Sequence, residues 1–241
     1  MTGGSRGIGR AVGFTLGRAG ARVAIAYRRD EAAANSLVAE IRAGKGEAMA
    51  LAGDVADAGE ARQLVRDVVA AWGGLDVLVV NAGIWEEDSA GGGDLEVWDR
   101  AIAVNLRGGY LVTDAAVPHL EKTRGSIVLM SSTAGQRGEA GHSAYAATKG
   151  ALISYTKSLA AELGPRGVRI NCVAPGWVET DLTRGALADR QRRRKIEETI
   201  PLQRVAQPDD IAGPVLFLVS DLARHVQGEV LNVNGGSVLV G

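Results

Sequence analysis

Short apolar runs alternate along the chain with longer segments whose apolar residues recur at helical spacing. The short runs predict strands over residues 23–27, 48–52, 75–80, 126–130, 168–173 and 230–233. The longer segments predict helices over residues 8–19, 31–43, 58–72, 95–120, 144–163 and 209–222. Strands that are apolar on both faces and separated by helices indicate a parallel sheet covered on both sides. The pattern therefore predicts a doubly wound α/β fold in a single domain over residues 1–241.

The composition argues against several classes of protein. The 27 Lys and Arg residues nearly balance the 28 Asp and Glu residues, so the net charge of -1 gives no electrostatic basis for binding nucleic acid. Cys172 is the single cysteine, and the three histidines lack the spacing of a metal site, so no metal is predicted. Neither a membrane-spanning run of ~18 apolar residues nor a signal peptide is apparent. We therefore expect a cytoplasmic protein.

A glycine-rich segment, Thr2-Gly3-Gly4-Ser5-Arg6-Gly7-Ile8-Gly9, opens the first predicted helix. Its glycines would let backbone N–H groups and the helix N-terminus approach a pyrophosphate, although a plain tight turn has the same composition. A dinucleotide-binding fold has a strand before this loop, and here only Met1 precedes Thr2. Three explanations stay open: the natural chain starts upstream, which we favour, another segment fills the gap, or cofactor binding is weakened.

The strand over residues 23–27 ends in Tyr27-Arg28-Arg29, where an NAD-specific protein usually carries an acidic residue for the ribose 2′-OH. Arg28 and Arg29, together with Arg6, would instead suit a 2′-phosphate, which favours NADP(H). The alternative is that these arginines are solvated surface charges and that Asp30 only caps the next helix.

Ser132, Tyr145 and Lys149 form a third group of candidate functional residues. Tyr145 and Lys149 are four residues apart on one helical face, and a nearby cation should lower the pKa of the phenol from its usual value of about 10. A phenol with a lowered pKa is a useful proton donor, and Ser132 follows a predicted strand where it can hydrogen-bond a carbonyl. A Tyr-x-x-x-Lys pair is also common on helix surfaces. Only its position in the chain, relative to the other motifs, can distinguish a catalytic pair from a surface pair.

Taken together, these features resemble the short-chain dehydrogenase/reductase superfamily, in the group that contains the β-ketoacyl-acyl-carrier-protein reductases. The shared motifs are Thr2-Gly3-x-x-x-Gly7-x-Gly9, Asp54-Val55, Asn81-Ala82-Gly83, Asn105, Ser132, Tyr145-x-x-x-Lys149, Pro175-Gly176 and Val178-Glu179-Thr180-Asp181. They follow the family's order and spacing over essentially the whole chain. The resemblance implies a Rossmann fold whose usual first strand is missing from this sequence.

The same resemblance implies an NADP(H)-dependent oxidoreductase of fatty acid biosynthesis, which reduces a 3-oxoacyl-acyl-carrier-protein to the secondary alcohol. One alternative is an NAD(P)-dependent dehydrogenase of a secondary alcohol, sugar or steroid, because the catalytic residues are shared. A non-catalytic NADP(H)-binding regulator is a further alternative, which the complete catalytic set argues against.

The resemblance also implies a role for each matching residue. Tyr145 would be the general acid, Lys149 would lower its pKa and hold the nicotinamide ribose, Ser132 would orient the carbonyl, and Asn105 would anchor a water that reprotonates Lys149. The implied cofactor contacts are Gly3, Ser5, Arg6, Gly7, Ile8, Gly9, Arg28, Arg29, Asp54, Val55, Asn81, Ala82, Gly83, Tyr145, Lys149, Pro175, Gly176, Val178 and Thr180.

Several features outside these motifs bear on substrate and assembly. Trp85 is either a wall of the substrate pocket or a loop aromatic. The basic run over residues 191–195, in the family's lid region, either recognises an acidic carrier or phosphorylated substrate or is a solvated helix face. Arg124 and Arg166 raise the same question for docking of acyl carrier protein. The resemblance implies a homotetramer whose contacts include residues 230–241.

Overall fold

The computed structural model describes residues 1–239, so the last two residues of the predicted domain and of the predicted tetramer segment lie outside it. Within this range the strands are β1 Val23–Tyr27, β2 Ala48–Ala52, β3 Val77–Val80, β4 Ser126–Met130, β5 Arg169–Pro175 and β6 Val230–Val233. The α-helices are α1 Gly7–Arg18, α2 Glu31–Ala43, α3 Ala58–Trp72, α4 Leu95–Ala101, α5 Gly108–Thr123, α6 Thr133–Arg137, α7 Ser143–Leu163, α8 Arg184–Ala188, α9 Arg190–Glu198 and α10 Pro208–Val219.

All described strand pairs are parallel, in the order β2-β1 and β3-β4-β5-β6. One apolar layer, which includes Val12, Leu37 and Ile211, packs α1, α2 and α10 against the strands. A second layer, which includes Leu120 and Leu152, contains side chains from α3, α5 and α7. The prediction of a doubly wound α/β fold is therefore confirmed. The carboxyl ends of parallel strands meet at one edge, where such folds bind ligands.

Met1 and Thr2 lie between β1 and β3, at the place where the absent strand is expected. The Thr2 N–H donates to the Val79 carbonyl at 3.0 Å, and the Ala26 N–H donates to the Met1 carbonyl at 2.9 Å. The Met1 ammonium donates to the Ala24 carbonyl at 2.9 Å, and its burial lowers its pKa to about 6. A cavity of about 310 Å³ with apolar walls continues between the two strands. Two residues thus close only the end of the gap that lies beside the glycine loop.

The long helix predicted over residues 95–120 is divided. A π-helical turn over Ile102–Arg107 separates α4 from α5. The apolar pattern did not reveal this turn because one turn with wider hydrogen bonding changes the spacing too little. The apolar pattern also did not show the short helices α6, α8 and α9, since so few turns give no clear periodicity; a helix in the lid region, where α8 and α9 lie, was expected only from the family resemblance.

The helices and the titratable side chains of the described residues bear on membranes and metals. No helix within residues 1–239 is both long and apolar enough to span a membrane. The same range contains no group of three or more His, Cys, Asp and Glu side chains that could hold a metal ion.

Candidate active site and nucleotide cleft

The glycine loop runs from Thr2 into α1 and is fixed to the carboxyl end of β3. The Asn81 side chain donates to the Gly3 carbonyl at 2.9 Å, and the Asn81 N–H donates to Thr2 Oγ1 at 3.0 Å. Gly3 has a φ of +60°, and a Cβ at this position would lie 2.8 Å from Ala82 Cα. A Cβ on Gly9 would lie 2.1 Å from the Gly3 carbonyl oxygen. Only glycines can therefore hold the loop against β3.

The start of α1 faces a cleft. A cavity of about 650 Å³ lies between the first turns of α1 and residues 179–188, with Gly7, Thr180 and Arg184 among its lining residues. The residue before α1, Arg6, provides no side-chain cap for the first N–H groups of the helix. Unpaired N–H groups at a helix N-terminus favour an anion. The predicted contact residues Ser5, Ile8 and Gly9 belong to this same loop and first turn.

The three arginines predicted at the ribose differ in their contacts. Arg28 donates to Asp54 Oδ2 at 3.2 Å, and both side chains are partly exposed. Arg6 and Arg29 are exposed, and neither side chain has a hydrogen bond or ion pair within residues 1–239. Asp30 caps α2 by accepting from the Ala33 N–H, as the capping interpretation predicted. Two guanidinium groups therefore remain available for an anion near the end of β1.

Tyr145, in the first turn of α7, lies beside Ser132, which follows β4. Ser132 Oγ accepts from the Ala134 N–H at 3.1 Å and so caps α6. Burial raises the pKa of Tyr145 to about 12; a hydrogen bond with Ser132 opposes the rise, and the charge of Glu139 adds to it. The Tyr-x-x-x-Lys spacing predicted a lowered pKa, and that direction is wrong here because burial outweighs the effect of neighbouring groups.

Lys149 is buried beneath Tyr145. Its Nζ donates to the Met130 carbonyl at 2.8 Å and lies 5.6 Å from the centre of the Tyr145 ring. Ser131 Oγ donates to the Lys149 carbonyl at 2.7 Å, which fixes this part of α7 to the end of β4. Burial lowers the pKa of Lys149 to about 8. An ammonium has three donors, so those not used by Met130 remain available to a ligand.

Asn105 lies in the π-helical turn and is almost fully buried. Its Oδ1 accepts from the Ile84 N–H at 2.8 Å, and its Nδ2 donates to the Ile84 carbonyl at 3.0 Å and to Thr148 Oγ1 at 3.2 Å. A Cβ on Gly83 would lie 3.3 Å from Asn105 Oδ1 and 3.5 Å from Lys149 Nζ. Gly83 therefore lies next to both polar groups. The predicted water at Asn105 stays a prediction.

A small cavity of about 70 Å³ opens beside Ser132 and Tyr145. The ring of Trp85 stacks on His142, with centroids 4.1 Å apart and 3° between planes, and meets Trp177 at 86°. Trp85 Nε1–H donates to Glu139 Oε2 at 3.2 Å. Trp85 is a half-buried loop aromatic that also lines this cavity, so its role as a wall of the substrate pocket stays a prediction. Glu139 was not singled out from the sequence, because its contact with Trp85 joins segments that are 54 positions apart.

Of the remaining predicted cofactor residues, Thr180 lines the larger cavity and Gly176 lines the small one. Val55 packs against Gly108, and a Cβ on Gly176 would lie 3.0 Å from Asn234 Cα. Thr180 lies over the glycine loop, because a Cβ on Gly7 would be 3.2 Å from Thr180 Cγ2. Pro175 ends β5, and Val178 forms an isolated parallel bridge with Ala206.

Several of the basic side chains considered for carrier recognition are engaged within the chain. Arg193 donates to both oxygens of Glu179, at 3.1 and 3.0 Å, and to Glu197 at 3.0 Å. Arg194 pairs with Glu198, and Arg166 pairs with Glu121. Part of the basic run therefore attaches α9 to the segment after β5.

Comparisons with known proteins define the class. The family model described as enoyl-(acyl carrier protein) reductase matches residues 3–237. The chain belongs to the short-chain dehydrogenase/reductase family, whose members are NAD(P)-dependent oxidoreductases acting on CH-OH and C=O groups. The predicted resemblance and the prediction of an enzyme are confirmed.

Individual relatives carry different names. The chain is 40% identical over 237 residues to the 3-oxoacyl-[acyl-carrier-protein] reductase of Staphylococcus aureus, covering 98% of this chain and 96% of the relative. It is also 40% identical to an L-rhamnose 1-dehydrogenase (NAD(P)(+)) of Azotobacter vinelandii, over 98% of this chain and 94% of the relative. Among solved structures, a Beutenbergia cavernae protein proposed to be an NAD(P)-dependent gluconate 5-dehydrogenase, with NADP at low occupancy, is similar with a TM-score of 0.93 and 38% identity, covering 98% of this chain and 94% of that one.

Proposed function

We propose that this protein is an NADPH-dependent oxidoreductase that reduces a carbonyl to a secondary alcohol, with Tyr145 as the general acid. The observation that supports this most is the cluster of Ser132, Tyr145 and Lys149 at the carboxyl end of β4. The phenol borders a cavity there, and the ammonium is anchored beneath its ring. Such a cluster can transfer a proton to a substrate, and a protein that only binds a cofactor does not need one.

The residues divide the work of the reaction. When bound, NADPH supplies the hydride. Ser132 orients the carbonyl oxygen, and Tyr145 gives that oxygen its proton. The high pKa of Tyr145, about 12, keeps the phenol protonated at neutral pH. Lys149 stabilises the phenolate that remains and holds the ribose with its free donors, and Asn105 positions the water that reprotonates Lys149.

The glycine loop and the exposed arginines are the residues that fit NADP(H). The glycines that pack against β3 leave the N-terminus of α1 uncapped for the pyrophosphate. Arg6 and Arg29, which lack partners in the described chain, are suited to the 2′-phosphate. Arg28 is already paired with Asp54. Asp54 and Val55 would contact the adenine, Asn81, Ala82 and Gly83 would lie beneath the cofactor, and Pro175, Gly176, Val178 and Thr180 would hold the carboxamide.

The first substrate to test is a 3-oxoacyl thioester on acyl carrier protein. The 40% identity to 3-oxoacyl-[acyl-carrier-protein] reductases supports this choice and a place in fatty acid biosynthesis. A sugar or other secondary alcohol is the second candidate, because a relative named L-rhamnose 1-dehydrogenase is equally identical. A cytoplasmic homotetramer remains part of the proposal.

Cofactor binding is the experiment that tests this function first. Nicotinamide fluorescence is followed while the protein is titrated with NADPH and, separately, with NADH. We expect NADPH to bind at least about tenfold more tightly, because charge-assisted bonds to the extra phosphate contribute more than neutral ones. The Arg29→Ala variant should weaken NADPH binding and leave NADH binding unchanged.

A matched control uses another exposed arginine. Arg62→Ala, on the solvent side of α3, should bind both cofactors as the unmodified chain does. Equal affinity for NADPH and NADH would contradict the role of the arginines, and failure to bind either would contradict the proposed function as a whole.

A further inference from the structure

We propose that Glu139 selects substrates that carry a hydroxyl group next to the reacting carbon, so that the site takes compact α-hydroxy ketones and, in reverse, vicinal diols. This inference rests on the proposed function and names its substrate class. It favours the second substrate candidate over the acyl thioester, which has no hydroxyl at that position. The balanced reaction is α-hydroxy ketone plus NADPH plus H⁺ giving vicinal diol plus NADP⁺, with the hydride added to the carbonyl carbon and the Tyr145 proton to its oxygen.

The Glu139 carboxylate lines the same small cavity as Ser132 and Tyr145. One of its oxygens, Oε2, accepts from Trp85 Nε1 at 3.2 Å. No described residue hydrogen-bonds the other oxygen. Arg137 also lines the cavity but forms no ion pair with Glu139 within residues 1–239. Glu139 therefore lines the cavity with one carboxylate oxygen that has no hydrogen-bond partner within residues 1–239.

A carboxylate at this position restricts what can bind beside it. Reduction puts negative charge on the substrate oxygen, and the negative Glu139 already raises the pKa of the neighbouring Tyr145. A second acceptor or an anion on the substrate would be repelled, whereas a hydrogen-bond donor would be attracted. A hydroxyl group on the adjacent carbon is such a donor. It can also leave the carbonyl oxygen free for Ser132 and Tyr145.

The aromatic side chains fix Glu139 and limit the size of the substrate. Trp85 cannot rotate freely, because it stacks on the buried His142 and donates to Glu139. Trp177 meets Trp85 at 86°, so the two rings form a corner. Such faces pack well against the C–H groups of a short carbon skeleton. The cavity volume of about 70 Å³ also suits a compact substrate.

Two ketones that differ by one hydroxyl test this selection. The substrates are acetoin, which has a hydroxyl beside its carbonyl, and 2-butanone, which lacks it. Initial rates of NADPH oxidation give kcat/KM for each. We expect acetoin to be preferred by about tenfold or more, since a charged acceptor that loses its donor is left unpaired. In the Glu139→Gln variant the preference should fall to within about twofold, with most of the change in the KM for acetoin.

Two further variants separate this role from a structural one. Trp85→Phe keeps an aromatic wall but removes the N–H that holds Glu139, so the preference should fall part of the way. Glu87→Gln changes an exposed carboxylate on the same loop as Trp85 and should leave the preference unchanged. Thermal melting of each variant identifies any that fail to fold, in which case Trp85→Phe supplies the test.

The outcomes distinguish this inference from the proposed function. If the protein reduces acetoacetyl-CoA with NADPH but does not prefer acetoin to 2-butanone, the inference is wrong and the proposed function stands. If the Glu139→Gln variant retains the full preference for acetoin over 2-butanone, another residue recognises the hydroxyl group and the inference is also wrong. If NADPH neither binds nor is oxidised with any ketone, both fail.

Discussion

The nucleotide cleft and the catalytic cluster lie at the same edge of the sheet but are built differently. In the cleft, the fixed parts are backbone: glycines packed against β3 and an uncapped helix start. The arginines predicted to contact the cofactor, Arg6 and Arg29, are exposed and lack partners within the described chain. In the cluster, Lys149 and Asn105 are buried and anchored to backbone carbonyl or N–H groups.

This difference shows which part is organised before ligands bind. A general acid and its supporting groups need fixed positions, because small displacements cost much of the rate. Exposed arginines can be ordered by the ligand itself, at a cost in side-chain entropy. Changes in the cluster should therefore reduce turnover strongly, and changes in the cleft should reduce cofactor affinity.

Removing the phenol hydroxyl should have the largest effect. We expect Tyr145→Phe to reduce kcat by about 100-fold to 10,000-fold, the range usually contributed by a general acid, while NADPH affinity stays within a few-fold. Steady-state rates and fluorescence titration measure the two effects. Tyr155→Phe, on the same helix with its ring near Tyr110, is the control that should keep normal activity. A Tyr145→Phe variant with most of its activity would remove Tyr145 from the mechanism.

Lys149 is proposed to act both in the catalytic cluster and at the nicotinamide ribose. Its removal should therefore affect both the turnover rate and the affinity for NADPH. Lys149→Ala deletes a buried ammonium and leaves the Met130 carbonyl without its donor, and we expect a fall of about 100-fold in kcat/KM together with weaker NADPH binding. Lys157→Ala, further along α7 and exposed, serves as control. Unchanged cofactor affinity in Lys149→Ala would contradict the role at the ribose.

A change in the glycine loop should act on affinity first. In Gly9→Ala the new Cβ would lie 2.1 Å from the Gly3 carbonyl oxygen, so the loop must move. Overpacking of this kind typically costs about 1–3 kcal/mol, and we expect NADPH affinity to fall about tenfold. Gly213→Ala, in α10, meets no atom within 4 Å and should have no such effect. Normal NADPH binding by Gly9→Ala would show that the loop tolerates displacement.

The smallest effect should be a displaced pH profile. The charge of Glu139 raises the pKa of Tyr145, so Glu139→Gln should lower that pKa. Alcohol oxidation needs the phenolate, which forms as the pH rises towards the pKa; its rising limb should therefore move to lower pH in the variant. The unmodified chain and the Glu139→Gln variant both retain Lys149, so the titration of Lys149 does not account for a difference between their pH profiles. Profiles of kcat/KM that coincide would mean that Glu139 does not act on Tyr145.

The sequence was informative where a residue type and its spacing determine one arrangement. The strands β1, β2, β4 and β6 have the predicted bounds, because short, mostly apolar runs between helical segments are typical of the strands of a covered parallel sheet. Tyr145 and Lys149 meet because four residues along a helix bring two side chains to one face.

Other features depend on contacts between distant segments and could not be predicted. The raised pKa of Tyr145 follows from its burial, which spacing along one helix does not show. The link between Trp85 and Glu139 joins side chains 54 positions apart. The role of Arg193 in holding α9 to Glu179 likewise requires the loop after β5 to be in place. Local patterns contain none of this information.

The π-helical turn at Ile102–Arg107 has a consequence for how this enzyme can change over generations. A π turn is equivalent to an α-helix with one residue added, and each helical residue turns the chain by about 100°. Loss of a single codon in this turn would restore a regular helix and rotate Asn105 away from Ile84, while most of the core could remain in place. On the proposed mechanism, one such deletion would abolish turnover and leave the glycine loop that would hold the nucleotide in place.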